Sequence, residues 1–304
     1  YYKYNKNDGT IVYSYLDFAG LGTKKNKGIF YTDIELAEKI IDFLEIPKDS
    51  IILDPCCGTG NFLVAAKNQG YQKTYGADID KKAISLSKKN TNITNLKVID
   101  TLANKANNVL SKFKLEEPVD VIIGNPPYAP IAKDIIIDTS DYLFLREVKD
   151  SGSNLFIAAL YRAFDLVKEN GIISYVIPKN FLHVTSYKVL RKMILNEKQI
   201  ISIVDIGENF KNVRGEQIII TLRNKFVKNN NICIYRYENN KIIKKLEVPQ
   251  DFYKDEILLF GSKEDFSIFK KLEGAYQKFS DICTGYVGRG KSKLDTAITG
   301  KDIR

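Results

Sequence analysis

From about residue 32 to residue 222 the chain alternates short apolar runs with amphipathic stretches, and this alternation limits the fold more than any other feature. Strands are expected at 50–54, 74–77, 96–99, 119–123, 172–177, 200–206 and 217–222. Helices are expected at 61–69, 81–90, 155–169 and 187–195, the third ending at the Asn170-Gly171 cap signal. Strands interleaved with helices predict an α/β fold, a doubly wound and mostly parallel sheet covered on both faces. The segment 207–216 has no helical period, so the final strand is expected to return antiparallel. Beyond Lys225 two runs flank Glu238-Asn239-Asn240, the pattern of a hairpin, and a short helix follows at 264–273.

Composition removes several classes. A hydrophobic fraction of 44% and a charged fraction of 27% are ordinary for a globular protein and exclude collagen, a disordered tail and a membrane bundle. Apolar-rich runs such as 119–123 and 200–206 are strand-sized, well short of the roughly 20 residues of a membrane span. His183 is the only histidine, and the four cysteines form no Cys-x-x-Cys, so no metal site and no Ser-His or Cys-His hydrolase is expected. Behind Tyr1-Tyr2-Lys3-Tyr4 there is no apolar core, so no signal peptide is expected, and few cysteines fit the reducing cytoplasm. The net charge of +9 favours a polyanionic partner.

Two segments carry chemistry. Asp54-Pro55-Cys56-Cys57-Gly58-Thr59-Gly60-Asn61-Phe62 lies between a strand and a helix, where glycines permit close backbone approach and the helix start favours an anionic group. Asp78 ends the next strand, placed to accept both ribose hydroxyls of a nucleoside. Leu63 stands where a dinucleotide site has its third glycine, which argues against a dehydrogenase. The sharper segment is Asn125-Pro126-Pro127-Tyr128, at the carboxyl end of a strand. The Asn125 side-chain oxygen and the Pro126 carbonyl can accept both hydrogens of an exocyclic amine, and Tyr128 can stack on the ring that bears it.

These two segments resemble motifs I and IV of the S-adenosylmethionine-dependent amino-DNA methyltransferases. Gly28-Ile29-Phe30-Tyr31-Thr32 before a helix resembles their motif X, with Asp33 where the family usually has Pro. The motif order is similar to that of the gamma group, the type II and type IIG adenine-N6 enzymes of restriction-modification systems. The resemblance implies a seven-stranded methyltransferase sheet with an antiparallel last strand, and S-adenosylmethionine as cofactor. It implies a catalytic domain over 28–275 with a hairpin addition at about 226–262. An N-terminal extension, 1–27, would precede it, and 276–304 would open a target-recognition domain that continues beyond the chain. Asp54 and the Cys56, Gly58 and Gly60 backbone would surround the methionine moiety, with Tyr31 and Thr32 closing over its carboxylate. Asp78 and Ile79 would hold the ribose side, Asp100 the adenine amine, and Asn125 and Pro127 would border the cofactor. Phe210 resembles the aromatic that packs, with Tyr128, on a flipped target base.

The mechanism implied is direct transfer. Accepting both amine hydrogens at Asn125 and Pro126 localises the nitrogen lone pair for in-line attack on an activated methyl group. A base inside a duplex must flip to reach such a pocket, at a cost of a few kcal/mol. Double-stranded DNA is the expected partner, with a restriction nuclease separate or fused; oligomeric state is left open. Lys278, Arg289, Lys291, Lys293, Lys301 and Arg304 would add phosphate contacts without sequence information. The rivals are RNA adenine methylation, protein glutamine methylation and a DNA-binding subunit with an inactive pocket. A glutamine methyltransferase usually has a helical domain before motif I and little chain after the sheet. Cytosine-N4 enzymes normally carry Ser at the Asn125 position.

Overall fold

The computed structural model describes residues 2–4, 11–13, 32–130, 154–208 and 215–272. It divides into two compact units, Tyr1–Leu259 and Phe260–Arg304. Within the first unit, β1 (Tyr2–Tyr4) and β2 (Ile11–Tyr13) form a two-stranded antiparallel ribbon. The main sheet is built from β3 (Ile52–Asp54), β4 (Thr74–Asp78), β5 (Leu96–Val98), β6 (Val119–Gly124), β7 (Val167–Pro178), β8 (Gln199–Gly207), β9 (Gln217–Arg223), β10 (Asn231–Glu238) and β11 (Lys241–Pro249). Its order is β11-β10-β8-β9-β7-β6-β3-β4-β5. The connecting helices are α1 (Ile34–Leu44), α2 (Asn61–Asn68), α3 (Lys81–Asn90), α4 (Ala106–Lys112), α5 (Leu155–Leu166) and α6 (Lys188–Glu197). In the second unit α7 (Lys263–Leu272) is described, with Phe260 packed against Phe266 and Phe269. Among the described residues no helix is long and apolar enough to cross a membrane.

The seven strands expected are present, and β9 runs antiparallel to both β7 and β8, as the aperiodic 207–216 segment implied. Strands β3 to β7 pair in parallel, so their carboxyl ends share one edge of the sheet. The hairpin at 231–249 is more than an appendage, since β10 pairs in parallel with β8 and lengthens the sheet to nine strands. Gln250 fixes this extension. Its amide donates to the carbonyls of Leu195 (2.8 Å) and Lys198 (2.7 Å), and its oxygen accepts from Ile200 N–H and Asn230 Nδ2, both at 2.8 Å.

Two local readings change. The third expected helix stops at Leu166 rather than residue 169, because Val167 turns extended and pairs with Val119. Asn170, at φ 63°, then forms the turn that admits Gly171 against the Asp120 carbonyl, so the cap signal marks a bend inside β7. Helix α4 was not foreseen; it has seven residues and no side-chain cap on Lys105.

The core explains the missing third glycine. Leu63 on α2 is fully buried, and a Cβ on Gly76 of β4 would lie 2.5 Å from its Cδ1. Close helix–strand packing is therefore achieved with the glycine on the strand and the bulk on the helix. Replacing Gln250 by Ala leaves four polar groups without their partner. Urea unfolding should show a loss of about 3 kcal/mol, and a loss under about 1 would mean that the hairpin is held by β10–β8 pairing alone.

Candidate active site

Three carboxylates stand at the ends of three neighbouring strands: Asp54 on β3, Asp78 on β4 and Asp100 two residues past β5. The glycine turn is tied across them. Cys57 N–H donates to the Ala77 carbonyl (2.8 Å), Gly58 N–H to Asp78 Oδ2 (2.7 Å), and Thr101 Oγ1 to the Pro55 carbonyl (2.9 Å). Gly60 starts α2 at φ 88°, a left-handed conformation that disfavours any side chain. Asp78 Oδ1 accepts Asp80 N–H at 2.8 Å, and Asp100 Oδ1 accepts Leu102 and Ala103 N–H, each at 3.0 Å. Both acids are partly open to solvent, and Ile79, next to Asp78 in the chain, is 68% exposed, an apolar surface beside a polar cradle.

Asp54 is buried, with Oδ1 accepting Cys56 N–H at 3.1 Å. Burial raises its carboxyl well above the usual range, the Cys56 bond opposes this, and the nearby Asp78 charge adds to it. Burial also raises Asp78. The Cys56 and Cys57 thiols are pushed up by the same burial, so both stay protonated and serve as packing groups rather than nucleophiles.

The second segment leaves β6 immediately beside this cradle. A Cβ on Gly124 would sit 2.6 Å from Asp54 Oδ1, at φ 151°. Asn125, Pro127 and Tyr128 are half-buried and Pro126 is buried. Tyr128 packs edge-on against Phe156 (centroids 6.2 Å, 88°), and its hydroxyl reaches the Asn125 carboxamide and the Val176 carbonyl (2.8 Å). Burial raises the Tyr128 phenol well above its ordinary value, so it keeps its proton.

The remaining expected residues divide. Thr32 is buried, its carbonyl accepts Asn61 Nδ2 at 2.8 Å, and its Oγ1 has no hydrogen-bond partner among the described residues. Asp33, in place of the family's Pro, caps α1 by accepting Glu35 N–H at 2.9 Å. Tyr31, Phe210 and the whole of 276–304, with its basic residues, lie outside the described residues. Sequence reasoning passed over Asn61, which ties Thr32 to α2, and the Val176 carbonyl, a backbone group no side-chain motif reveals. It also passed over Gly124, although a glycine at a strand end just before a motif does signal close approach.

Solved structures place the fold among the methyltransferases. A type I restriction-modification methyltransferase subunit from Streptococcus thermophilus superposes with a TM-score of 0.56 at 21% identity, over 72% of this chain and 50% of that one. The DrdV–DNA complex gives 0.58 at 19% identity, over 90% and 32%. Sequence comparison then supplies the family. The N-6 DNA Methylase profile matches residues 12–272, and the chain belongs to that family. Type II methyltransferase M.VspI of a Vibrio species is 31% identical over 66% of this chain and 48% of its own length. M.TthHB8I of Thermus thermophilus is 27% identical over 62% and 43%. The chain therefore spans about half the length of these curated relatives.

The raised Asp54 carboxyl makes a pH prediction. A folded-state value above the unfolded one contributes stability that is full below the ordinary carboxylate range and lost as pH rises toward the folded value. Cofactor-free Asp54→Asn, which cannot ionise, should lose less stability than wild type between pH 5 and pH 8 in urea melts. Parallel pH profiles would show that Asp54 ionises without penalty.

Proposed function

We propose that this chain is the catalytic part of a DNA adenine-N6 methyltransferase, acting on a flipped adenine in double-stranded DNA within a restriction-modification system of the cytoplasm. A restriction nuclease, separate or fused, would be its partner. The observation that carries this reading is the contact of Gly124 with Asp54. It sets the amine acceptors of Asn125-Pro126-Pro127-Tyr128 directly beside the strand-end carboxylates.

Family and fold imply S-adenosylmethionine, and the residues present fit it. Buried Asp54 needs a cation to ionise comfortably, which an α-ammonium group supplies. Asp78, whose two oxygens each accept one backbone N–H, has further lone pairs for ribose hydroxyls, Ile79 offers an apolar face for a base, and Asp100 an acceptor for its amine. The buried Thr32 Oγ1, without a partner among the described residues, is a donor suited to a carboxylate. When bound, the cofactor supplies a methyl group already activated by its sulfonium. The chain's own part is electrostatic and positional. Asn125 Oδ1 and the Pro126 carbonyl draw both hydrogens of the target amine and favour a pyramidal nitrogen. The Tyr128 ring, braced by Phe156, supports the base by stacking worth about 1–3 kcal/mol.

The reading is tested by methyl transfer from labelled cofactor to duplex DNA and to RNA, followed by nucleoside analysis; N6-methyladenine confined to RNA would reassign the substrate. Asn125→Ala should keep cofactor affinity within about three-fold while transfer falls about 10²–10³-fold, and parallel loss of both would move Asn125 into the cofactor site. Asp78→Ala should weaken cofactor binding by about 1.5–3 kcal/mol in calorimetry. Unchanged binding would place the ribose elsewhere.

A further inference from the structure

We propose that the Tyr175 hydroxyl is a positioning group for the amino-acid end of the cofactor, donating to the Asp54 carboxylate when a cationic ligand holds that carboxylate ionised. The role rests on reading Asp54 as the acid that meets the α-ammonium group. Tyr175 lies on β7 in register with Gly124 of β6 on one side and Ile220 of β9 on the other. It is 1% exposed, and its hydroxyl has no hydrogen-bond partner among the described residues. Neither neighbour in that row offers a side-chain acceptor. A buried hydroxyl left without a partner costs stability, and phenylalanine would fill the same space without that cost. The fold thus carries a buried donor that its own packing does not use.

Asp54 supplies the complementary group. Strand β6 runs between β7 and β3, so Gly124 lies between Tyr175 and Asp54 and has no side chain to separate them. A Cβ there would lie 2.6 Å from Asp54 Oδ1. Oδ1 accepts Cys56 N–H, whereas Oδ2 has no hydrogen bond among the described residues. A donor without an acceptor thus stands across a glycine from an acceptor without a donor. Burial pushes the Tyr175 phenol well above its ordinary value, and the nearby Cys56 and Asp54 add to this, so the phenol keeps its proton and remains a donor. Cys56 is the weaker acceptor of the two, since its thiol stays protonated and sulfur accepts poorly. Burial favours the neutral form of Asp54 in the cofactor-free protein, and a neutral carboxyl accepts only modestly. Ionised against an ammonium group it becomes a strong acceptor, because hydrogen bonds to a charged oxygen are about twice as strong as neutral ones. Cation and phenol then hold the carboxylate together, and the hydroxyl raises affinity only for a ligand that carries the cation.

Tyr175→Phe is the test, read by calorimetry with two ligands and by urea unfolding without ligand. S-adenosylhomocysteine, the demethylated cofactor, carries the α-ammonium group. 5′-Methylthioadenosine has the same nucleoside and thioether without the amino-acid end. Tyr175→Phe should weaken S-adenosylhomocysteine about ten-fold and leave 5′-methylthioadenosine within about two-fold of wild type. The ligand-free variant should unfold at the same urea concentration as wild type or a higher one, because the hydroxyl it loses has no partner there. Unchanged S-adenosylhomocysteine affinity overturns the proposal. Equal losses for both ligands also overturn it, by assigning the hydroxyl to the general shape of the pocket. A ligand-free variant that is less stable, or does not fold, overturns it by showing that the hydroxyl already serves the resting fold. Wild type that binds S-adenosylhomocysteine no more tightly than 5′-methylthioadenosine would instead sink the Asp54–ammonium reading, and the role of the hydroxyl with it.

Discussion

The buried Asp54 carboxylate, set against the Cβ-less backbone of Gly124, is the contact on which the site depends. On one side of it the glycine turn and the acids of β4 and β5 form a polar cradle. On the other, Asn125-Pro126-Pro127-Tyr128 leaves the sheet. Any side chain at position 124 would push these halves apart by a distance comparable to a bond. In-line chemistry loses rate steeply with displacements of about 1 Å, so under the proposed function the closeness of these two strand ends would matter to the rate.

Burial, with a second acid nearby, raises the Asp54 carboxyl well above the usual range and favours its neutral form. A cationic ligand beside it would favour the charged form instead. Thr32 Oγ1 is a buried polar atom with no hydrogen-bond partner among the described residues. Functional sites commonly hold such unmet interactions, which convert ligand binding into added stability.

Much of the architecture was legible in the chain because strand and helix periods differ and the turns carry clear punctuation. The β3-turn-α2 unit, β6 and its Pro-Pro exit, and the β8–β9 return all follow from local pattern. The errors have a common physical origin in pairing partners distant in sequence. Val167 leaves its helix to pair with Val119 on the neighbouring strand, and the 231–249 hairpin, expected as an addition, extends the sheet by pairing with β8. Within the site, residue types and their places at strand ends pointed to Asp78 and Asn125, while Asp54 and Asp100 came only with the family resemblance. The Val176 carbonyl that accepts a hydrogen bond from Tyr128 had no sequence signal, since every residue has a carbonyl.

By itself, the sequence determined the class of sheet, the positions of the turns that bear chemistry, and the residue types available to an amine and a nucleoside. These are consequences of periodicity, of proline and glycine geometry, and of side-chain donors and acceptors. Only the tertiary structure decided that Gly124 faces Asp54, that Leu63 is accommodated by Gly76, and that Tyr128 joins Asn125 to β7. The reason is register: which residues of neighbouring strands lie opposite one another depends on packing across the whole sheet, and no local pattern encodes it.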